Sequence, residues 1–191
     1  MKDIEDFCPS DKQDWRKWLE LNHNKKEAVW LIFYKKSSPN YNLSWSESVN
    51  EALCFGWIDS TKKTLDEERF IQYFSRRKPN SIWSKVNKDK VTLLTSKNLM
   101  HDAGYKTIEI AKGNGSWSIL DEVEALVIPA ELKKEFNQKA GSLTYYENLS
   151  ASSKKILLAW VVLAKRPETK QKRSIEIAEN ASKNLKPKQF R

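Results

Sequence analysis

In the run Glu51-Ala52-Leu53-Cys54-Phe55-Gly56-Trp57-Ile58-Asp59-Ser60 a thiol, an indole and a carboxylate fall within six residues. Two further runs, Phe74-Ser75-Arg76-Arg77-Lys78-Pro79 and Ser81-Ile82-Trp83-Ser84-Lys85-Val86-Asn87, add guanidinium groups, a second indole and an amide. A guanidinium has five N–H donors, more than one carboxylate can use, so an Arg positioned by an Asp keeps donors for a ligand. Beside indoles, such a group suits an anionic or planar ligand. The candidate ligand-binding set is therefore Trp57, Asp59, Arg76, Arg77, Trp83 and Asn87. The competing reading makes Asp59 and Arg77 a structural ion pair, Trp57 and Trp83 core residues, and Asn87 a helix cap.

Catalytic chemistry has less to build on. Cys54 lies among Leu53, Phe55 and Trp57 with no His close in sequence, which predicts a buried, inert thiol rather than a nucleophile. The two cysteines, Cys8 and Cys54, allow at most one bridge, and both are expected to be reduced. There is no CxxC pair, and His23 and His101 stand 78 positions apart. No catalytic residue, metal site or cofactor is expected.

The formal net charge of +9 is unevenly spread. Residues 154–191 carry +8, whereas residues 1–153 carry only +1. A further cluster from Arg76 to Lys90 has a net charge of +5. This pattern predicts a solvated basic tail with weak, salt-sensitive and non-specific attraction for nucleic acid. A dedicated nucleic-acid binder using the basic segment and tail is the alternative function, with Trp83 as a stacking residue. No apolar run nears the ~20 residues needed to span a bilayer, and the start Met1-Lys2-Asp3-Ile4-Glu5-Asp6 has charges where a signal peptide is apolar. The expectation is a cytoplasmic protein with no membrane span.

These residues need elements to position them. Ser10 with Gln13 reads as a capping box before a helix over Asp11–Asn22 with Trp15, Trp18 and Leu19 on one face. The apolar run Ala28–Tyr34 predicts a central strand covered on both faces. Ser44 with Glu47 is a second capping box, opening a helix that presents Trp45, Val49, Ala52 and Leu53 and stops at Gly56. Two β-like segments, 57–61 and 69–74, follow, and pairing them brings Asp59 towards Arg76 or Arg77. From Trp83 the pattern is helical, over 84–97, 102–113, 130–138, 142–149, 152–165 and 168–184, with Leu157, Leu158, Trp160, Val161 and Val162 marking a buried helix. The fold class predicted is α+β, with a small, mainly antiparallel sheet and helices in an amino-terminal part (1–80) and a helical carboxy-terminal part (81–191) packed with it as one compact unit.

The runs at 51–60, 74–87 and Ala164-Lys165-Arg166-Pro167-Glu168-Thr169-Lys170, in this order, resemble the YdeI/OmpD-associated, bacteriocin-protection family. That resemblance implies a small α+β protein linked to protection against bacteriocins and cationic peptides, and it names no reaction. A porin contact, which the family name also implies, does not fit the charged start of the chain. The function expected is thus non-catalytic binding or stress protection, with a small anionic or peptide-like ligand.

Overall fold

The computed structural model describes residues 4–191. They fall into two compact units that divide at Trp117/Ser118. The last strand ends at Arg76, and the elements after it are helical. The division comes later because the next two helices contribute Val91, Leu94, Ile108 and Ala111 to the core of the first unit.

The first unit starts with a two-residue strand, β1 (Asp6–Phe7), and α1 (Lys12–Asn22). Asp11, not Ser10, caps α1 by accepting the Asp14 N–H at 2.8 Å, while the Asp14 carboxylate takes the N–H of Ser10 at 2.9 Å. The expected box is displaced by one residue because a charged carboxylate is a stronger acceptor than the Gln13 amide. After β2 (Ala28–Tyr34) comes α2 (Trp45–Cys54), whose Ser44–Glu47 box is made in both directions. Those bonds to Ser44 hold the Glu47 carboxyl below its ordinary range.

Gly56, at φ +74°, turns the chain into β3 (Trp57–Thr64), which forms a hairpin with β4 (Arg69–Arg76). The sheet order is β1-β2-β4-β3, with β1 parallel to β2 and the other two pairings antiparallel. The sheet is therefore mixed and mainly antiparallel, in an α+β fold.

Strand β2 is central, but it is not covered equally on both faces. Val29, Leu31 and Phe33 are fully buried, whereas Ala28, Trp30, Ile32 and Tyr34 are half-buried. The core lies on the first face, where Trp15 and Leu19 of α1 and Val49, Ala52 and Leu53 of α2 meet Phe74 and Trp57. Trp45 departs from expectation. It is 49% exposed and donates its indole N–H to Asp59 at 2.9 Å, since the first turn of α2 overhangs the polar end of that face.

Helices α3 (Lys85–Ser96) and α4 (Asp102–Gly113) complete this unit. Gly104 lets α4 approach the end of α2 very closely, since a Cβ there would lie 2.3 Å from the Cys54 carbonyl oxygen. The same carbonyl accepts the His101 N–H at 3.0 Å.

The second unit, Ser118–Arg191, contains α5 (Asp121–Glu124), α6 (Ala130–Gln138), α7 (Ser142–Glu147), α8 (Ala151–Val162), α9 (Pro167–Ala181) and a closing 3₁₀ turn. Its core joins Leu132, Phe136, Leu157, Leu158, Val161 and Ile177, so α8 is the buried helix that its composition predicts. No helix among the described residues is long and apolar enough to cross a membrane.

Candidate functional site

Arg77 follows directly on β4. Its N–H donates to the Gly56 carbonyl at 2.9 Å, which ties it to the start of β3. The chain then turns through Lys78 to Ser81, closed by the Ser81 N–H on the Lys78 carbonyl at 2.9 Å. Asn114 clamps this turn by donating to the Pro79 carbonyl at 2.8 Å. The loop is thus held at both ends, and Trp83 is carried beneath it.

The Arg77 guanidinium lies 3.6 Å from the centre of the Trp83 ring. Its Nη1 donates to the Ile82 carbonyl at 3.1 Å, and its Nε has no partner among the described residues. Only 8% of the residue is exposed. No carboxylate forms an ion pair with it among those residues, and burial lowers its proton affinity to about 10, with Asp59 opposing this through space. It stays cationic at neutral pH all the same.

Arg77 lines a cleft of about 600 Å³ at the end of the sheet. Arg76, Lys78, Ser75 and Ser81 add cationic and hydroxyl groups to its wall, and Ile58 and Tyr73 add apolar surface. Glu27 is the carboxylate in the lining. A basic, hydroxyl-bearing cleft with an under-used guanidinium can accept a carboxylate or phosphate through paired N–H bonds.

The six residues singled out in the sequence do not all meet here. Arg76 and Arg77 line the cleft, although Arg76 already donates to the Lys26 carbonyl at 2.6 Å and to that of Asn24 at 3.2 Å. Trp83 is 1% exposed and backs Arg77 without reaching the surface. Trp57 is fully buried, packs edge-on against Trp18 and donates to the His23 carbonyl at 3.2 Å. The expected indole walls are therefore absent from the cleft lining.

Asp59 pairs with Phe74 and so shares the core face of the sheet with Gln72, whose amide donates to it at 3.1 Å. Arg77 has the opposite parity, and this explains why the expected direct Asp59–Arg77 contact is not made. Asn87 offers its backbone N–H to the Ser84 cap of α3 at 3.3 Å and is not part of the cleft. Sequence reasoning missed Tyr73, Ser75, Lys78 and Ser81. The period-two pattern of β4 held the signal for the first two, but without the register the facing of that strand was open.

Cys54 is fully buried, and desolvation, with the nearby Glu51 charge, pushes its thiol up to about 11. Both cysteines are free. His23 and His101, far apart in sequence, have ring centroids 4.8 Å apart beside Phe55. His101 caps α4, its Nδ1 accepting the Ala103 N–H at 3.2 Å. No group of three or more His, Cys, Asp or Glu suited to a metal converges among the described residues.

Fold and site together define a two-unit α+β protein with a basic cleft in its first unit. Residues 7–107 match the family model of a domain of unknown function (DUF8412), and residues 125–184 match that described as bacteriocin-protection, YdeI or OmpD-associated. The first match spans just over half of the chain, which therefore belongs to that family of unknown function (DUF8412), and the second unit is similar to the YdeI/OmpD-associated family over the shorter segment. The runs at 51–60 and 74–87 fall in the first match, and the run at 164–170 falls in the second. No curated protein and no solved structure matches the chain.

Proposed function

We propose that this chain is a cytoplasmic, non-catalytic binding protein that holds a small anionic or peptide-like ligand in the Arg77 cleft and serves the protective role named for the family that its second unit resembles. One observation carries the reading. Arg77 is nine-tenths buried, makes one hydrogen bond through its guanidinium and leaves Nε unmatched, yet it lines an open cleft. Burying a cation without a carboxylate is unfavourable, and an anionic ligand at this position relieves that cost. The fully buried Cys54, with its raised thiol pKa, supports binding over nucleophilic chemistry.

The test is a thermal-shift titration of wild type and Arg77→Met with inorganic phosphate, citrate and short peptides bearing a free carboxylate. A rise in midpoint for wild type alone, with at least one of these anions, is the expected result. Equal responses in both proteins, or none in either, would remove the cleft as a binding site.

A further inference from the structure

The cleft opens onto a face of the sheet that the core does not use. On the two central strands Trp30 stands directly opposite Tyr73, with ring centroids 5.0 Å apart. Ile32 and Tyr34 share that face on β2, and Ser75 shares it on β4. Trp30 and Tyr73 are half-buried, and neither belongs to the hydrophobic core formed on the other face.

A β-bulge between Asp59 and Lys62 resets the parity of β3. As a result Lys63 pairs with Ile71 and reaches this same face, with its Nζ 4.5 Å from the centre of the Trp30 ring. Tyr73 is shared between this face and the cleft, whose far wall is Arg76, Arg77 and Lys78. Two adjacent aromatic rings thus lie between a lysine on one side and the under-used guanidinium on the other.

We propose that this face binds single-stranded nucleic acid, with successive bases on Tyr73 and Trp30 and a backbone phosphate in the Arg77 cleft. The proposal rests on the reading of that cleft as an anion site and gives its ligand a class. Every base has a π face, so rings on neighbouring central strands accept consecutive bases with little regard to sequence. A base over Trp30 moves the Lys63 ammonium off the ring, towards the next phosphate.

The charge pattern agrees. Neither Lys63 nor Lys78 has a carboxylate within ion-pair distance among the described residues, whereas Arg69 at the start of β4 is committed to Asp66 at 2.7 Å. The acidic groups at the edges of the face are Glu27 in the cleft lining, Asp6, which pairs with Trp30 from β1, and Asp66, Glu67 and Glu68 around Tyr34 at the end away from the cleft. A duplex keeps its bases stacked inside and cannot reach the rings. An acidic peptide supplies the charge without the planar bodies.

The test uses the full chain and fluorescein-labelled oligothymidylate and oligouridylate of about eight nucleotides, read by anisotropy, beside the thermal response to inorganic phosphate. Trp30→Leu is expected to weaken oligonucleotide binding by about 5- to 100-fold while keeping the phosphate response, and Tyr73→Leu to weaken oligonucleotide binding by a similar factor. Arg77→Met should lose both. If Trp30→Leu fails to fold, Tyr73→Leu decides the matter alone.

Oligonucleotide binding that is absent, or indifferent to Tyr73, while phosphate still stabilises wild type and not Arg77→Met would overturn the nucleic-acid proposal and leave the anion site standing. Absence of the Arg77-dependent phosphate response would overturn the nucleic-acid proposal, and absence of a response to citrate and the peptides as well would sink the anion site. Preference for duplex, or for an acidic peptide with the same dependence on Tyr73, would also overturn the proposal.

Discussion

Replacing Arg77 with Met keeps a long unbranched side chain over Trp83 and removes the charge. The magnitude follows from the environment. The fall of the Arg77 pKa from its ordinary value to about 10, at ~1.4 kcal/mol per pKa unit, is a penalty of about 3 kcal/mol for carrying the charge into the fold. Against this stand the stacking on Trp83 at 3.6 Å, about 2 kcal/mol when desolvated, and one charge-assisted hydrogen bond to the Ile82 carbonyl, about 1.5–3 kcal/mol. Met regains part of the stacking through its sulfur, about 0.3–1.5 kcal/mol. Ile82 is 40% exposed, so water can reach its freed carbonyl.

The terms nearly cancel, and Arg77→Met is expected to unfold within about 1 kcal/mol of wild type. Breaking a fully paired buried ion pair costs about 3–5 kcal/mol instead. Urea denaturation followed by tryptophan fluorescence measures the difference. Because the folded pKa of Arg77 is depressed, the unfolded chain binds more protons above pH ~10, and wild type alone gains stability there. Between pH 6 and 9 the difference should be flat. A loss of 3 kcal/mol or more in Arg77→Met would refute the reasoning by showing that the guanidinium is a structural keystone.

Three further outcomes are expected. Gly104→Ala should destabilise by about 2 kcal/mol despite the better helix propensity of Ala, because its Cβ meets the Cys54 carbonyl at 2.3 Å and Met100 at 2.8 Å; a higher urea midpoint would contradict this packing. Cys54, with its folded pKa raised to about 11, should cost the protein about 2–3 kcal/mol between pH ~9 and ~11, since the unfolded thiol loses its proton first. Urea midpoints across that range should fall less steeply in Cys54→Ala, and thiol titration of native protein at neutral pH should label exposed Cys8 before Cys54. Ser44→Ala should remove about 1 kcal/mol by taking away the hydroxyl that accepts the Glu47 N–H, while the backbone N–H of residue 44 still donates to the Glu47 carboxylate, a change that thermal denaturation will detect.

Local chemistry was legible in the chain itself. The Ser44–Glu47 box, the stop at Gly56, the hairpin from β3 to β4 and the helices from 84 onward all rest on signals confined to a few neighbouring residues, so spacing alone determined them. The inert character of Cys54 was legible for the same reason, through its apolar neighbours. What the sequence could not carry was facing and approach. The bulge after Asp59 decides which side Lys63 takes, and strand parity separates Asp59 from Arg77 although the strands that carry them pair as expected. Packing sank Trp57 and Trp83 into the core, whereas Trp45, with the same side chain, stayed exposed because Asp59 offers its N–H an acceptor. The pairing of His23 with His101 and the under-used Arg77 guanidinium depend on contacts between distant segments, and only the folded chain brings those segments together.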